Sequence, residues 1–542
     1  MKRLLIALSL LALFLVLPLV ALGDVGVGPG GGTPGTSLNF QLVGHNDLSG
    51  HELDGNTIPR GMNSQVTIYG HYAYIGNRTD GSSTCGFGDP RGYLTQNCPH
   101  PHPGILIADI ADPANPTVVG EIGPPYAGQV GITTRELRVW PQKKLLMVMT
   151  FRCSSVIHAC PVGNDATFPF DIKFFDLTDP VHPAFISSYV PTSVAGALVK
   201  PHEMFLWIDP KNPDRALLWL STPSVSVNPA RPNLMIVDIS EVPSGGAVHE
   251  VAEGNWNQFF PGAGDPNNYD FDLSLHSMTP SFDGTRTYLA YLRGGFGVLD
   301  TSEVANDQVP AGTVESLNGN LLTPVPFPTW GTGPHCEGHT AAGCGESHSA
   351  VPLPGRPFAL TIDEVYGTFT VSSFGWPWGW ARVWNVAQPA RPRIVGEYKI
   401  FQNTEGFRAD VDPATEQFTS YSSHNPTLTR KIAFDSWHSG GLQAIDLSNP
   451  AQPKQAGFFS PAPLDAVATE DPALSRGPNK VVIWSYPIIK DGLIYVVDIR
   501  NGLYILRYTG PHARGVNDIR FLEGNSNLGD AVALDQSAGN DE

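Results

Sequence analysis

Apolar and polar positions alternate with period two along residues 423–459, SHNPTLTRKIAFDSWHSGGLQAIDLSNPAQPKQAGFF. The alternation predicts strands over residues 429–433, 442–447 and 454–459, separated by an HSGG hairpin and the turn SNPAQP, which is one unit of antiparallel sheet. The same grammar returns in GILIADIADPANPTVVGEI from Gly104, IKFFDLTDPVHPAFISSYV from Ile172, NLMIVDISEV from Asn233, FGVLDTSEV from Phe296 and ARVWNVAQPARPRIVGEY from Ala381. With the degenerate copy LIYVVDIRNGLYILRY from Leu493 there are seven. The anchors Asp109, Asp176, Asp238, Asp300, Asn385, Asp446 and Ile505 recur at roughly 60 residues, once at about 85, a period that suits a four-stranded sheet with loops. Seven such sheets predict an all-β fold, a seven-bladed β-propeller of four-stranded antiparallel blades.

The strand ending in Asp-(Ile/Leu)-x-(Asp/Asn)-Pro-x-x-Pro resembles the LVIVD-repeat family of bacterial surface propellers. The likeness covers nearly all of the chain after its first residues, although copies 3, 4 and 7 lack the Pro-x-x-Pro turn. It implies the fold and a cell-surface or extracellular setting, and it implies no defined activity.

Residues 1–23 carry Lys2 and Arg3, an apolar run from Leu4 broken by Ser9, and small residues at Ala21 and Gly23. This is the pattern of a secretory signal peptide; the run is also long enough for a retained membrane anchor. Residues 24–37 read as a Gly-rich flexible linker. Residues 40–43 look like the fourth strand of a repeat that precedes any complete repeat, whereas the last copy stops after its third strand at Tyr508. Residues 40–43 are therefore expected to close the ring, so that the propeller spans 38–508 and a polar, aperiodic tail expected to lack order fills 509–542. A net charge of −18 excludes nucleic acid and anionic membrane surfaces as natural partners. With 41% hydrophobic residues the chain has ample material for a core.

The predicted turns fall into a short set and a long set. Within a four-stranded blade the A–B and C–D turns share one face, and here they are short; the loops of the other face are long, including residues 77–103, 151–170, 221–232, 301–347 and 374–380. Varied loops on a rigid scaffold are where a small molecule, protein or glycan would bind. The six cysteines fall into local pairs, Cys85/Cys98, Cys153/Cys160 and Cys336/Cys344, each inside one such loop. An exported chain makes disulfides the expected state, each worth about 2–3 kcal/mol. The rival reading of the third pair is a zinc site in His335-Cys336-x-x-His339-x4-Cys344. The run GWPWGW from Gly375 is either a self-packed loop or an aromatic platform for a sugar. Asn77-Arg78-Thr79 is formally a glycosylation sequon.

Aligned on the A–B turn, His202, His276, His348 and His424 occupy one equivalent position, the start of strand A, in four consecutive copies. Strand A lines the channel of a propeller, so four imidazoles are expected to converge at its mouth on the long-loop face. Their ordinary role is a backbone hydrogen bond at a strand start. Their convergence, with Glu203 and Glu346 beside them, points to one transition-metal ion such as copper, zinc or iron. His438 lies in a hairpin on the same face, either as an accessory group or as a solvated turn residue. The pattern more distantly resembles the selenium-binding protein and methanethiol oxidase propellers, which implies copper held by histidines and, if the chain is an enzyme, a metal-dependent oxidoreductase. The other class open to this sequence is a non-catalytic module that binds protein or glycan with its loops.

Overall fold

The computed structural model describes residues 26–27, 34–78, 100–128, 132–152, 170–260, 273–325, 327–328, 346–364, 379–403, 420–470, 475 and 480–536. Seven antiparallel sheets follow one another around a channel. The inner, A strands are Asn63–Tyr69, Ile132–Trp140, Glu203–Ile208, Ser277–Pro280, Ser347–Pro352, Asn425–Leu428 and Ile488–Lys490. In blade 6 the expected strand over 429–433 is instead the A–B turn plus the start of strand B, Ile432–Ser436, because Thr429 hydrogen-bonds Ile432 across the turn. In blade 4 the outer edge is an irregular stretch, in which Leu322 N–H donates to the Val298 carbonyl at 2.9 Å.

The core is divided into wedges. Seven hydrophobic clusters of buried residues lie one between each pair of neighbouring blades; Trp207 and Trp219 of blade 3, for example, pack on Met278 and Leu289 of blade 4. Each buried large side chain contributes about 1.5–3 kcal/mol. Strands A and B of blade 3 are wholly buried, whereas the outer strand Ala184–Tyr189 of blade 2 is largely exposed.

The repeat signature has a double purpose. Asp109, Asp176, Asp238, Asp300, Asn385 and Asp446 each accept the backbone N–H two residues on, at 2.6–3.0 Å, which starts the turn after strand C. Ile505 sits within the third strand of blade 7 and has no side-chain acceptor for such a turn. The glycine of the outer strand then receives the next blade's turn: a Cβ at Gly396 would meet the Pro450 carbonyl at 2.2 Å, and one at Gly44 the Pro113 carbonyl at 2.0 Å. A side chain there would push neighbouring blades apart.

Phe40–Asn46 closes the ring as expected, pairing antiparallel with Gly502–Tyr508 from Phe40↔Tyr508 to Asn46↔Leu503. The flanking segments differ from expectation. Within the expected linker, Gly26–Val27 and Thr36–Leu38 add strands to the outer edges of blades 5 and 6. The C-terminal segment, expected to lack order, is part of the fold: Phe521–Glu523 pairs with the inner edge of blade 7, and Ser526 bridges to Leu206 of blade 3, so the chain crosses the channel. Its apolar residues Leu522, Leu528 and Ala531 are too few and irregularly spaced for a periodic signal, yet all three are buried.

The expected disulfides are not borne by any described part of the fold. Cys85 and Cys98, Cys153 and Cys160, and Cys336 and Cys344 all lie outside the described residues, so no disulfide is seen among the described residues. His335 and His339 of the rival zinc reading, and residues 1–23 of the signal pattern, also lie outside them. Among the described residues, no helix is long and apolar enough to cross a membrane.

Candidate metal centre

Side chains of the inner strands donate to backbone carbonyls in, or just before, the next blade's inner strand and set the spacing of the channel wall. Ser64 donates to the Thr134 carbonyl, Arg138 to that of Met204, Ser277 to that of His348, Ser349 to that of His424, and Asn425 to that of Trp484. This ladder sets the strand-start histidines in a row, His202 edge-on to His276 and the later rings tilted to one another. Ring centroids are 4.4 Å apart for His202/His276, 3.9 Å for His276/His348 and 4.5 Å for His348/His424. All four histidines expected at the mouth are thus brought together.

His438 extends the row, 5.0 Å from His424. It is fully buried, which corrects the solvated-turn reading of this residue. Its hairpin backbone is left-handed at φ +37°, a conformation costing a side-chain-bearing residue about 1–2 kcal/mol. The His438 carbonyl holds it by accepting from Gly441 and Ile483 N–H, while Trp484 stacks on the imidazole at 5.1 Å. A strained residue held this firmly points its ring inward.

The group that sequence reasoning missed is Glu364, directly after strand B of blade 5, Phe358–Asp363. Its carboxylate sits among the imidazoles: Oε1 lies 3.2 Å from His438 Nε2 and 3.5 Å from His424 Nε2, and Oε2 lies 3.4 Å from His348 Nε2. Position could have found it, because an acid ending a buried strand on the long-loop side faces the same mouth as the histidines. It occurs in one blade only, so no period marks it.

Two tautomers follow from hydrogen bonding. His424 Nδ1 lies 2.9 Å from the Trp484 carbonyl oxygen, which can only accept, so Nδ1 carries the proton and Nε2 keeps its lone pair. Ser349 spends its hydroxyl proton on the His424 carbonyl at 3.2 Å and so accepts from His348 Nδ1 at 2.9 Å. His348 Nε2 is then also a bare lone pair. Burial, against the opposing pull of Glu364, holds His202, His348 and His424 well below the ordinary imidazole range. Burial and then Arg135 push His276 down to about 3. Burial opposes charge on Glu364, but His424, His348 and His438 outweigh it and hold its carboxyl well below the usual range.

Lone pairs therefore face an ionised carboxylate across 3.4–3.5 Å, and neither His348 Nε2 nor His424 Nε2 has a hydrogen-bond partner. Donor atoms bound at 2.0–2.2 Å to one tetrahedral ion stand about 3.4 Å apart. The donor set fits a metal ion, and the Nδ1 bonds supply the outer contacts that orient metal-binding imidazoles. Three compact groups result: His202/Glu203/His276, His276/His348/Glu364 and Glu364/His424/His438, with ligand atoms within 4.8 Å in each.

Glu203 is buried beside His202 and His276 and pairs with Arg135 at 3.4 Å. Glu346 stands outside these groups, 3.8 Å from Arg293. Trp380 is buried in the core cluster of blades 5 and 6, with Lys399 3.8 Å and Arg382 4.4 Å from its ring centre, so this member of the tryptophan run packs rather than presents a platform. Trp376 and Trp378 lie outside the described residues. Asn77 is buried at the end of its strand, whereas Thr79 of the sequon lies outside the described residues.

The LVIVD repeat family model matches residues 60–81, a stretch that includes the inner hairpin of blade 1, Asn63–Tyr69 with Tyr72–Asn77. No curated protein matches the chain. Among solved structures, the computationally designed Ika8 protein is similar over 86% of this chain and 99% of its own, at 7% identity and TM-score 0.38. Sqt1 from Chaetomium thermophilum is similar over 90% and 91%, at 12% identity and TM-score 0.40. The Cps50 (Swd1) β-propeller domain of Myceliophteria thermophila is similar over 83% and 97%, at 10% identity and TM-score 0.40. None of these bears on the chemistry at the channel mouth, and none supports the likeness to selenium-binding or methanethiol oxidase propellers.

Proposed function

We propose that this LVIVD-repeat β-propeller is an exported metalloprotein whose centre, Glu364 with His348, His424 and His438, handles a small molecule arriving from the long-loop face. The observation that carries the reading is the convergence of lone pairs of fixed tautomer on one buried carboxylate, which is repulsive unless a cation lies between them. Imidazole with carboxylate suits iron, zinc or copper. Such an ion would supply Lewis acidity or, if redox-active, electron transfer. The chain's part is to keep His348 and His424 neutral, orient the imidazoles through Nδ1, and exclude water from one side. The C-terminal segment crosses the channel on the short-turn side, so the long-loop face is the side from which ligand would enter. Export, implied by the signal pattern and by the resemblance, would make the pairs Cys85/Cys98, Cys153/Cys160 and Cys336/Cys344 disulfides.

The test is metal content. The chain, purified after export to a periplasm, should hold metal by mass spectrometry after exposure to iron, zinc or copper, and Glu364→Gln should lose it. A wild type that stays metal-free with all three, and a Glu364→Gln variant that binds and melts identically, would return the function to a loop-based module for protein or glycan. Non-reducing peptide mapping that found free thiols would separately overturn the exported, disulfide-bonded reading.

A further inference from the structure

We infer that Glu364 is a bridging carboxylate and that the centre holds two metal ions; this rests on the metalloprotein reading above. The two oxygens of Glu364 face different imidazoles. Oε1 is turned to His424 and His438, at 3.5 and 3.2 Å, while Oε2 is turned to His348 at 3.4 Å. Each oxygen thus has an imidazole nitrogen of its own, His424 Nε2 at 3.5 Å and His348 Nε2 at 3.4 Å, the separation at which two donors share one ion. The compact donor groups divide in the same way, His424 and His438 on one side of the carboxylate and His348 and His276 on the other. Each side offers two imidazoles and one carboxylate oxygen, a complete donor set for a first-row dication with positions left open. A carboxylate spanning two such ions would set them about 3.5–4 Å apart, the spacing of two-metal sites.

The two positions differ in charge. The His276 side also carries His202, whose Nε2 is 2.8 Å from His276 Nε2, and the buried Glu203. Glu203 is already paired with Arg135 at 3.4 Å, and that guanidinium repels a cation there. The ion between Glu364, His424 and His438 therefore binds first and more tightly, and the ion between Glu364, His348 and His276 binds second.

Titration of the metal-free full-length chain with zinc alone, followed by calorimetry and by mass-spectrometric metal content, tests this. Two equivalents in two steps are expected for wild type, and one tight equivalent for His276→Ala. His438→Ala should weaken the tight step at least 10-fold, and a thermal melt of each variant checks that the fold is retained. Zero equivalents in wild type would overturn the metalloprotein reading itself. One equivalent in wild type, unchanged in His276→Ala, would leave that reading standing and overturn the bridge. Two equivalents that survive His276→Ala would overturn the placement of the second ion.

Discussion

The two ends of the channel solve the burial of polar groups in opposite ways. At the short-turn end the chain supplies its own partners: Asn527 accepts from Ile208 N–H at 2.8 Å and donates to the Ile208 carbonyl at 2.7 Å, and the Asn525 carbonyl takes Leu206 N–H and Arg138 Nε. At the long-loop end, by contrast, acceptors face acceptors, His348 and His424 against Glu364. Buried acceptors left opposed cost free energy. One end of the channel is built for stability, and the other gathers a donor set that could hold a cation.

The largest test of this contrast is removal of residues 521–536. It takes away the buried Leu522 and Leu528 and uncovers the inner edge of blade 7, which should destabilise the fold by about 3–6 kcal/mol. Metal affinity should stay within about threefold, since the segment touches none of the donors; chemical unfolding with a parallel metal titration measures both. A large loss of affinity would show that the two ends are one unit.

Glu364→Gln is the converse. Metal affinity should fall by at least about 100-fold, because an anionic donor is replaced by a neutral amide, while the metal-free variant should melt no lower than wild type, one buried charge having gone. A variant that melts far lower without metal would mark Glu364 as a structural group.

Ser349→Ala should act more gently. The hydroxyl accepts the Nδ1 proton of His348 and ties blade 5 to blade 6, so its loss should weaken metal binding about 10-fold and stability by about 1 kcal/mol. Equal affinity in the variant would remove the tautomer from the account of the site.

The smallest effect lies away from both ends. Burial first, and then Glu253, push Glu250 on the rim of blade 3 up from 4.5 to about 8. Between those values the folded chain retains a proton that the unfolded chain has released, so this contribution is complete below pH 4.5 and is lost as pH rises through about 8. Glu250→Gln should therefore flatten the decline of the melting midpoint from pH 5 to pH 8, and an unchanged slope would rule the residue out.

Much of this was legible in the sequence because repetition amplifies it. The turn-starting Asp or Asn, the outer-strand glycine and the strand-start histidine recur at one blade interval, and each copy faces the same surroundings. Period two predicted the strands, and a missing fourth strand at one terminus with a spare one at the other predicted ring closure. His438 and Glu364 are different: each occurs once, on a loop or strand end, and only a neighbouring blade gives it meaning.

What the sequence determined by itself is therefore the repeating unit, its count, and the presence of four imidazoles at one level of the channel. Local alternation and turn chemistry act over a few residues, and copying carries them around the ring. Tertiary structure decided the rest: that Glu364 of blade 5 meets His424 and His438 of blade 6, and that the aperiodic C-terminal segment fills the channel. Those contacts join residues far apart in the chain, and their energy comes from burial and opposed charge inside a closed ring, which no local pattern encodes.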